Sequence, residues 1–212
     1  MKRAWVDILL IVLLLLATAG VGDVKAQNFE RLSDVEAEQM GDLMMVNTDD
    51  YQTIKNVRRY WVQESQRLRQ MKQLEFLLTG SNEAVMKVVI PARVLFAQND
   101  STMLSTADNV LRPFVRLVAG KEAVATLVIG GYSDNNGSES YLTMMSGSRA
   151  RQVHRWFARQ GVGPANVHSF GFANRVPRND NASIAHREKN RRITLYFVPN
   201  KKMLKAGKKG TL

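Results

Sequence analysis

The sequence of 212 residues contains no cysteine and only three histidines, His154, His168 and His186. Without cysteine the chain can form no disulfide bond, no thiolate metal site and no thiol nucleophile, and it lacks the thiol through which a bacterial lipoprotein carries its lipid. The histidines show none of the close spacings of metal ligands. Packing alone must stabilise the fold, and we expect no metal and no cofactor.

Motifs of the common enzyme classes are missing as well. There is no Gly-x-Ser-x-Gly elbow, no phosphate-binding loop and no dinucleotide-binding fingerprint. Asp134 could form half of a hydrolytic carboxylate pair, but Glu139, the nearest acidic residue in sequence, has no motif around it. We therefore expect a binding protein rather than an enzyme.

Residues 1–26 have the pattern of an export signal. A basic start is followed by an apolar run from Ile8 to Ala19 and by small residues that suit cleavage before Gln27. The alternative is an uncleaved inner-membrane anchor, which the short run and Asp7 disfavour. The expected location is the periplasm or the outer-membrane-associated cell envelope.

Acidic residues are scarce, with 19 against 30 lysines and arginines and a net charge of +11. Such an excess indicates an anionic neighbour: nucleic acid, acidic lipid or cell-wall carboxylates. Export makes nucleic acid the least expected of these. Part of the excess lies in residues 199–212, where five lysines favour a basic disordered tail over a specific binding patch.

A long amphipathic helix is predicted for residues 48–80, after a polar spacer at residues 27–47. Asp49 and Asp50 can cap its start, and Gly80 can end it. Its apolar residues recur at steps of three and four, and the main members of this stripe are Ile54, Val57, Trp61, Leu68, Met71 and Leu78. Such a helix either packs on its own domain, or serves as a spacer or as the contact of a homodimer.

Residues 86–198 alternate between strand and helix patterns. Strands are predicted at residues 88–96, 124–129, 167–172 and 192–198, with helices around 104–118 and 141–160 and a short helical turn at 184–188. Pro91 predicts an edge position or a bulge in the first strand. The alternation predicts an α/β (α+β) sandwich, with helices packed on one face of a small mixed sheet.

The segment between the second strand and the second helix carries the most informative motif. It reads Gly131-Tyr132-Ser133-Asp134, then Gly137-Ser138, then Met145-Ser146 followed by Arg149-Ala150 and Val153. This order and spacing resembles the OmpA-like family of peptidoglycan-binding domains, in which the pattern is Gly-His-Thr-Asp, Gly-Ser and Leu-Ser-x-x-Arg-Ala-x-x-Val. The resemblance continues on both sides of this segment, at Val94-Leu95-Phe96 and at the closing Asn190-Arg191-Arg192-Ile193. It covers residues 86–198 and implies the element order βαβαβ(α)β.

Asp134 and Arg149 are the principal candidate site residues. Asp134 follows a strand, and the side chain of Arg149 leans toward the start of its helix, where the Asp134 loop lies. A carboxylate beside a guanidinium matches a zwitterionic amino-acid centre. The resemblance implies that this centre belongs to meso-diaminopimelate in a peptidoglycan stem peptide. The alternative is a salt bridge between Asp134 and Arg149 that only stabilises the fold.

Six further residues join the predicted site through the resemblance. Phe96 and Asn99 follow the first strand, and Ser133 and Ser146 belong to the motif itself, although Ser146 also lies on the buried stripe of its helix. Arg191 and Arg192 match the closing arginine pair, and either a ligand contact or a structural role suits them.

Non-covalent peptidoglycan binding is the function that these features predict. The alternative is an envelope assembly protein that uses the same fold for contacts with other envelope proteins or with anionic lipid.

Overall fold

A five-stranded mixed sheet forms the centre of the fold. The computed structural model describes residues 48, 50–80 and 82–212, so the predicted signal segment 1–26 and spacer 27–47 lie outside the described residues. The strand order is β1-β2-β5-β3-β4, in which β3 and β4 are parallel and the other neighbours antiparallel. The strands are β1 Glu75–Thr79, β2 Val85–Pro91, β3 Ala125–Tyr132, β4 Val167–Gly171 and β5 Arg192–Pro199.

Helices connect and flank these strands. They are α1 Tyr51–Arg67, α2 Ala92–Leu95, α3 Ala107–Val118, α4 Glu139–Arg159, α5 Ile184–Asn190 and α6 Lys201–Lys209. Asp50 caps α1 by accepting a hydrogen bond from the Gln52 amide, and Ser138 caps α4 through the Tyr141 amide. None of the helices in the described part of the chain combines the length and the apolar character that crossing a bilayer requires.

The hydrophobic core lies between one face of the sheet and the helices. Phe197 of the central strand β5 stacks on Phe114 of α3 with ring centroids 5.4 Å apart, and it contacts Trp61 of α1 at 6.4 Å. All three side chains are buried. The predicted fold class, with helices on one face of a small mixed sheet, is confirmed.

Helix α4 approaches the sheet closely because glycines face it. A Cβ atom at Gly131 would overlap the carbonyl oxygen of Ser146, and one at Gly171 would lie 2.5 Å from the amide nitrogen of Gly147. This contact fixes the height of α4 above the end of β3. It thereby sets where the functional side chains of α4 emerge.

The single helix predicted for residues 48–80 is wrong in its second half. α1 ends at Arg67, and residues 75–79 form the edge strand β1, which pairs with β2 through Phe76 opposite Val88. A short apolar run fits both the helical and the strand period. Residues 75–79 form a strand here because the edge of β2 is open for pairing. β2 is therefore an inner strand, contrary to the edge position predicted from Pro91. Pro91 is tolerated because β1 begins at Glu75, opposite Val89, so that no residue of β1 pairs with Pro91.

The apolar stripe of α1 packs on its own domain. Val57 and Trp61 are fully buried, and the Trp61 indole Nε1 donates to the Ala84 carbonyl at 2.8 Å. Glu64 on the same side is buried and forms ion pairs with Arg67 and Arg116. The stripe is thus used within the domain, and a homodimer contact through residues 48–80 stays a prediction.

The predicted disordered tail at residues 199–212 contains a helix instead. Asn200 caps α6 by accepting from the Met203 amide at 3.0 Å. Met203 and Gly207 are buried, and Asn56 of α1 donates to the Gly207 carbonyl at 2.8 Å. Because the segment is rich in lysine, its sequence does not indicate that one side of it is packed. That side is identified only by its contact with α1.

Candidate functional site

Asp134 lies in the loop that leaves the end of β3. Its side chain is buried, and its Oδ1 accepts a hydrogen bond from the Asn136 amide at 3.2 Å. Its Oδ2 forms an ion pair with Nη1 of Arg191. The amide of the preceding Ser133 donates to the Ala173 carbonyl at 2.6 Å, which ties this loop to the chain after β4. The carboxylate is therefore held in a fixed place at the rim of the sheet.

Arg149 enters the same rim from α4. Its Nε donates to the Asp100 carbonyl at 2.8 Å, and its guanidinium lies over the ring of Phe96, 5.5 Å from the centroid. The residue is 5% exposed. Within the described residues, the two terminal nitrogens Nη1 and Nη2 donate no hydrogen bond. The protein thus fixes one edge of the guanidinium and leaves the fork of the other edge available.

Asp134 and Arg149 lie in the same electrostatic environment without forming a salt bridge. Burial is the main cause that lowers the pKa of Arg149, and the nearby Asp134 carboxylate partly offsets this lowering. Among the described residues, however, the ion pair of Asp134 is with Arg191. The structure therefore does not contain the stabilising Asp134–Arg149 bridge that was the alternative to a ligand site.

Four charges balance at this rim. The charges of Arg191, Asp134 and Asp100 all act on the guanidinium of Arg149. Hydrogen bonds from the Thr102 amide and hydroxyl are the main cause that lowers the pKa of Asp100. The site is therefore neutral overall at pH 7, with separate acceptors and donors, as a zwitterionic ligand requires.

Some of the other predicted residues lie at the rim, and others support the residues that do. Arg191 is one-third exposed at the rim. Asn99 lies in the exposed turn after Phe96 with φ 53°, and this turn presents the Asp100 carbonyl to Arg149. Phe96 is almost fully buried and touches the guanidinium. Its ring thus contributes a cation–π contact to Arg149.

Ser146 and Arg192, both predicted as ligand contacts, have structural roles. Ser146 is fully buried, and its hydroxyl donates to the Thr143 carbonyl and accepts from the Ala173 amide at 3.0 Å. Arg192 stacks on Tyr132 at 3.7 Å and donates to two backbone carbonyls, and its burial lowers its pKa to about 10. The structural role is the one left open for Arg192 in the sequence, and the ligand contacts of both residues stay predictions.

Three residues of the site were missed in the sequence. Asp100 contributes a backbone carbonyl, which no side-chain pattern signals. Tyr141 in the first turn of α4 acts electrostatically on Arg149. Asn190 is fully buried and accepts from the amides of Arg178 and Asn179, which orders the loop before α5. The position of Asn190 directly before Arg191 and Arg192 was the feature of the sequence that could have indicated its role.

A cavity of about 430 Å³ lies beside β1 and β2, and its lining contains neither Asp134 nor Arg149 nor Arg191. Its charged groups include Arg178 and Glu75, which satisfy each other through two hydrogen bonds of 2.7 and 2.9 Å. The described residues contain no cluster of three histidine, aspartate or glutamate side chains that could hold a metal ion. The Asp134–Arg149 rim, with its available guanidinium fork, is therefore the better candidate site.

Comparison with known proteins shows similarity in the part of the chain that contains this site. The sequence model of the OmpA family matches residues 95–191. The chain is 30% identical over 108 residues to the outer-membrane lipoprotein YfiB of Pseudomonas aeruginosa, an alignment that covers 51% of this chain and 63% of that relative. The chain thus spans somewhat less than two thirds of the length of this curated relative.

Solved structures share the fold at low sequence identity. The cell wall anchor of the T6SS from Pseudomonas aeruginosa matches with a TM-score of 0.57 and 17% identity, over 68% of this chain and 99% of the other. A putative MotB-like protein from Desulfovibrio vulgaris matches with a TM-score of 0.58 and 21% identity, over 69% and 96% of the two chains. These likenesses establish the architecture of the sheet and its helices.

Proposed function

We propose, from the OmpA-family domain that this chain carries at residues 95–191, that the protein binds peptidoglycan without forming a covalent bond and recognises the stem peptide. The proposed place of action is the periplasm or the outer-membrane-associated envelope. The names of similar proteins, an outer-membrane lipoprotein and a cell wall anchor, support this setting.

The guanidinium of Arg149 is the observation that carries the proposal. Phe96 and the Asp100 carbonyl hold it in one orientation, so little side-chain entropy is lost when a ligand binds. Its free fork can form two parallel hydrogen bonds to one carboxylate. The main task of Arg149 is therefore to clamp a ligand carboxylate.

Asp134 supplies the complementary half of the recognition. Each carboxylate oxygen has two lone pairs, and the contacts to Asn136 and Arg191 use one on each. The remaining lone pairs can accept from the ammonium of the same amino-acid centre. Arg191 keeps Asp134 oriented and, being one-third exposed, can itself approach the ligand carboxylate.

The amino-acid centre in this proposal is the distal end of meso-diaminopimelate. This residue carries both an ammonium and a carboxylate there, whereas lysine at the same stem position carries only the ammonium. A lysine-type stem would leave Arg149 unpaired in a nearly buried place, which costs roughly 1 to 3 kcal/mol. The expected selectivity is therefore on the order of tenfold to a hundredfold.

Pelleting of the full-length chain with insoluble diaminopimelate-type peptidoglycan tests this function. Arg149→Lys keeps the charge but removes the fork, and we expect it to weaken pelleting about 10-fold or more. Arg151→Lys is the matched control, since Arg151 is exposed two positions further along α4 and bonds only Ser148. Repeating the assay with lysine-type wall should show weaker wild-type binding and little further loss in Arg149→Lys.

Two results would contradict the proposal. Equal pelleting of the wild type and both variants, with release of all three at the same salt concentration, would mean diffuse charge attraction. Equal binding of the wild type to both wall types would remove the diaminopimelate assignment. In the first case the domain would serve contacts with other envelope proteins or with anionic lipid.

A further inference from the structure

The C-terminal helix α6 presents an unusual concentration of positive charge. Its five lysines are all exposed, and the helix contains no acidic residue. Lys202 donates to Glu122 at 2.5 Å and to the Lys121 carbonyl. The other four lysines have no ion pair with any described residue, and they are Lys201, Lys205, Lys208 and Lys209.

Part of this charge opposes the folding of α6, whereas Lys208 and Lys209 lie in its last turn, where the helix dipole favours cations. Lys201 lies in the first turn, where the helix dipole disfavours a cation. Lys201 and Lys205, and then Lys205 and Lys209, are four residues apart, so they repel each other on one side of the helix. The packing of Met203 and Gly207 must overcome both effects. A surface that keeps such charges at a cost to its own helix indicates an anionic partner.

The neighbouring helix α1 adds apolar groups and further cations. Tyr51 is 75% exposed and Val62 is 41% exposed. They line a groove of about 230 Å³ together with Ile54, Leu78 and the cations Lys55, Arg58 and Arg59. Apolar walls below a positive rim suit an anionic amphiphile better than a soluble polyanion, because a polyanion gains nothing from the apolar walls.

The position of α6 separates it from the candidate wall site. α6 follows Pro199, which pairs with Ala125 at the start of β3, whereas Asp134 follows the end of that strand. The eight residues of β3 span about 23 Å. The two charged surfaces therefore lie at opposite ends of the sheet, and a molecule held at one end presents the other end away from that partner.

We propose that α6 and α1 form a docking surface for a bilayer of anionic lipids. The lysines approach the lipid phosphates, and Tyr51 and Val62 enter the interfacial region. Only the inferred orientation, with the lipid surface opposite the wall, rests on the proposed peptidoglycan function. Lipid binding itself is a separate activity of a separate surface.

Binding of the full-length chain to vesicles tests this inference. Vesicles of phosphatidylcholine alone are compared with vesicles that also contain phosphatidylglycerol, so any binding through the apolar run at residues 8–19 is common to both. We expect the wild type to prefer the anionic vesicles, and the quadruple variant K201Q/K205Q/K208Q/K209Q to lose at least about 10-fold of that preference. Tyr51→Ser with Val62→Ser should reduce the binding that persists at high salt.

The matched control removes four exposed cations elsewhere. The variant R151Q/R155Q/R159Q/K189Q changes the net charge equally through residues of α4 and α5, and it should retain the preference within about twofold. An equal loss in both quadruple variants, or a wild type without preference for anionic vesicles, would overturn the inference. Equally tight binding of polyphosphate, with no effect of the Tyr51 and Val62 changes, would also overturn it.

Wall pelleting of the same variants keeps the two functions apart. The α6 variant should pellet with peptidoglycan as the wild type does, because its lysines lie at the other end of β3. If the α6 variant loses vesicle binding but still pellets with the wall, the change affects only the lipid-binding surface. Failure of wall pelleting in the wild type would concern only the peptidoglycan proposal.

Discussion

Arg191 and Arg192 show how neighbouring residues of one type acquire different roles. Strand geometry sends their side chains to opposite sides. Arg191 reaches the rim and pairs with Asp134, while Arg192 turns onto Tyr132 and the carbonyls of Asn190 and Val176. One arginine is available to a ligand, and the other holds the end of the sheet together.

The two arginines should respond differently to the same substitution. Arg192→Gln leaves two buried carbonyls without a donor and should lower the free energy of unfolding by roughly 2 to 3 kcal/mol. Arg191→Gln removes the ion-pair partner of the buried Asp134 carboxylate but leaves its hydrogen bond from the Asn136 amide, and should lower it by about 1 kcal/mol. Denaturant unfolding of both variants measures this difference.

Wall pelleting of the same two variants should show the reverse order. Arg191→Gln should weaken binding about 3- to 10-fold, because Asp134 loses the group that orients it. Arg192→Gln should bind normally once the signal is corrected for the folded fraction. Equal destabilisation by both variants would contradict the division of roles.

At the scale of elements, the contact between α1 and α6 closes the domain. The two helices are distant in sequence and meet through Thr53, Asn56 and Gly207, where a Cβ atom on the glycine would lie 3.3 Å from Thr53. Met203 is fully buried beside this contact. α6 is therefore a structural element, although its exposed side consists of lysines.

Shortening Met203 tests the structural role of α6. Met203→Ala should lower the free energy of unfolding by about 2 to 4 kcal/mol, because it removes a buried side chain and leaves a cavity. Lys205→Ala, on the exposed side of the same helix, should change it by less than about 0.5 kcal/mol. Thermal or denaturant unfolding compares the two variants. Equal small effects would mean that residues 199–212 contribute nothing to the fold.

At the scale of the whole molecule, the chain has two charged ends with different chemistry. The rim around Asp134 and Arg149 is neutral overall and suits a zwitterion, whereas the α1–α6 surface is cationic and suits a negatively charged plane. β3 separates them by about 23 Å. Groups so far apart are expected to contribute independently to binding.

A bridging assay tests this independence. The full-length protein should pull fluorescent anionic vesicles into the pellet of insoluble peptidoglycan. Arg149→Lys and the α6 quadruple variant should each reduce bridging about 10-fold or more while retaining binding to the other partner. Bridging that survives in the α6 variant would mean that another surface holds the vesicles.

The sequence by itself determined the fold class and the elements that carry Asp134 and Arg149. The alternation of strand and helix patterns in residues 86–198 and the spacing of Asp134 and Arg149 are local properties of the chain. They predicted the order of the elements, but the strand predicted at residues 88–96 is wrong in its second half, where β2 Val85–Pro91 is followed by helix α2 Ala92–Leu95. The family resemblance at Gly131, Ser146 and Arg149 marked the segment that the OmpA family model matches.

Features that depend on contacts between distant parts of the chain were decided only by the tertiary structure. Residues 75–79 became a strand because β2 offered an open edge, and residues 201–209 became a helix because α1 covered their apolar side. The same reason applies to the site: Arg191, not Arg149, pairs with Asp134, and a backbone carbonyl fixes Arg149. Local sequence patterns record periodicity and composition, whereas the choice among partners that lie far apart in the chain is made only when the chain folds.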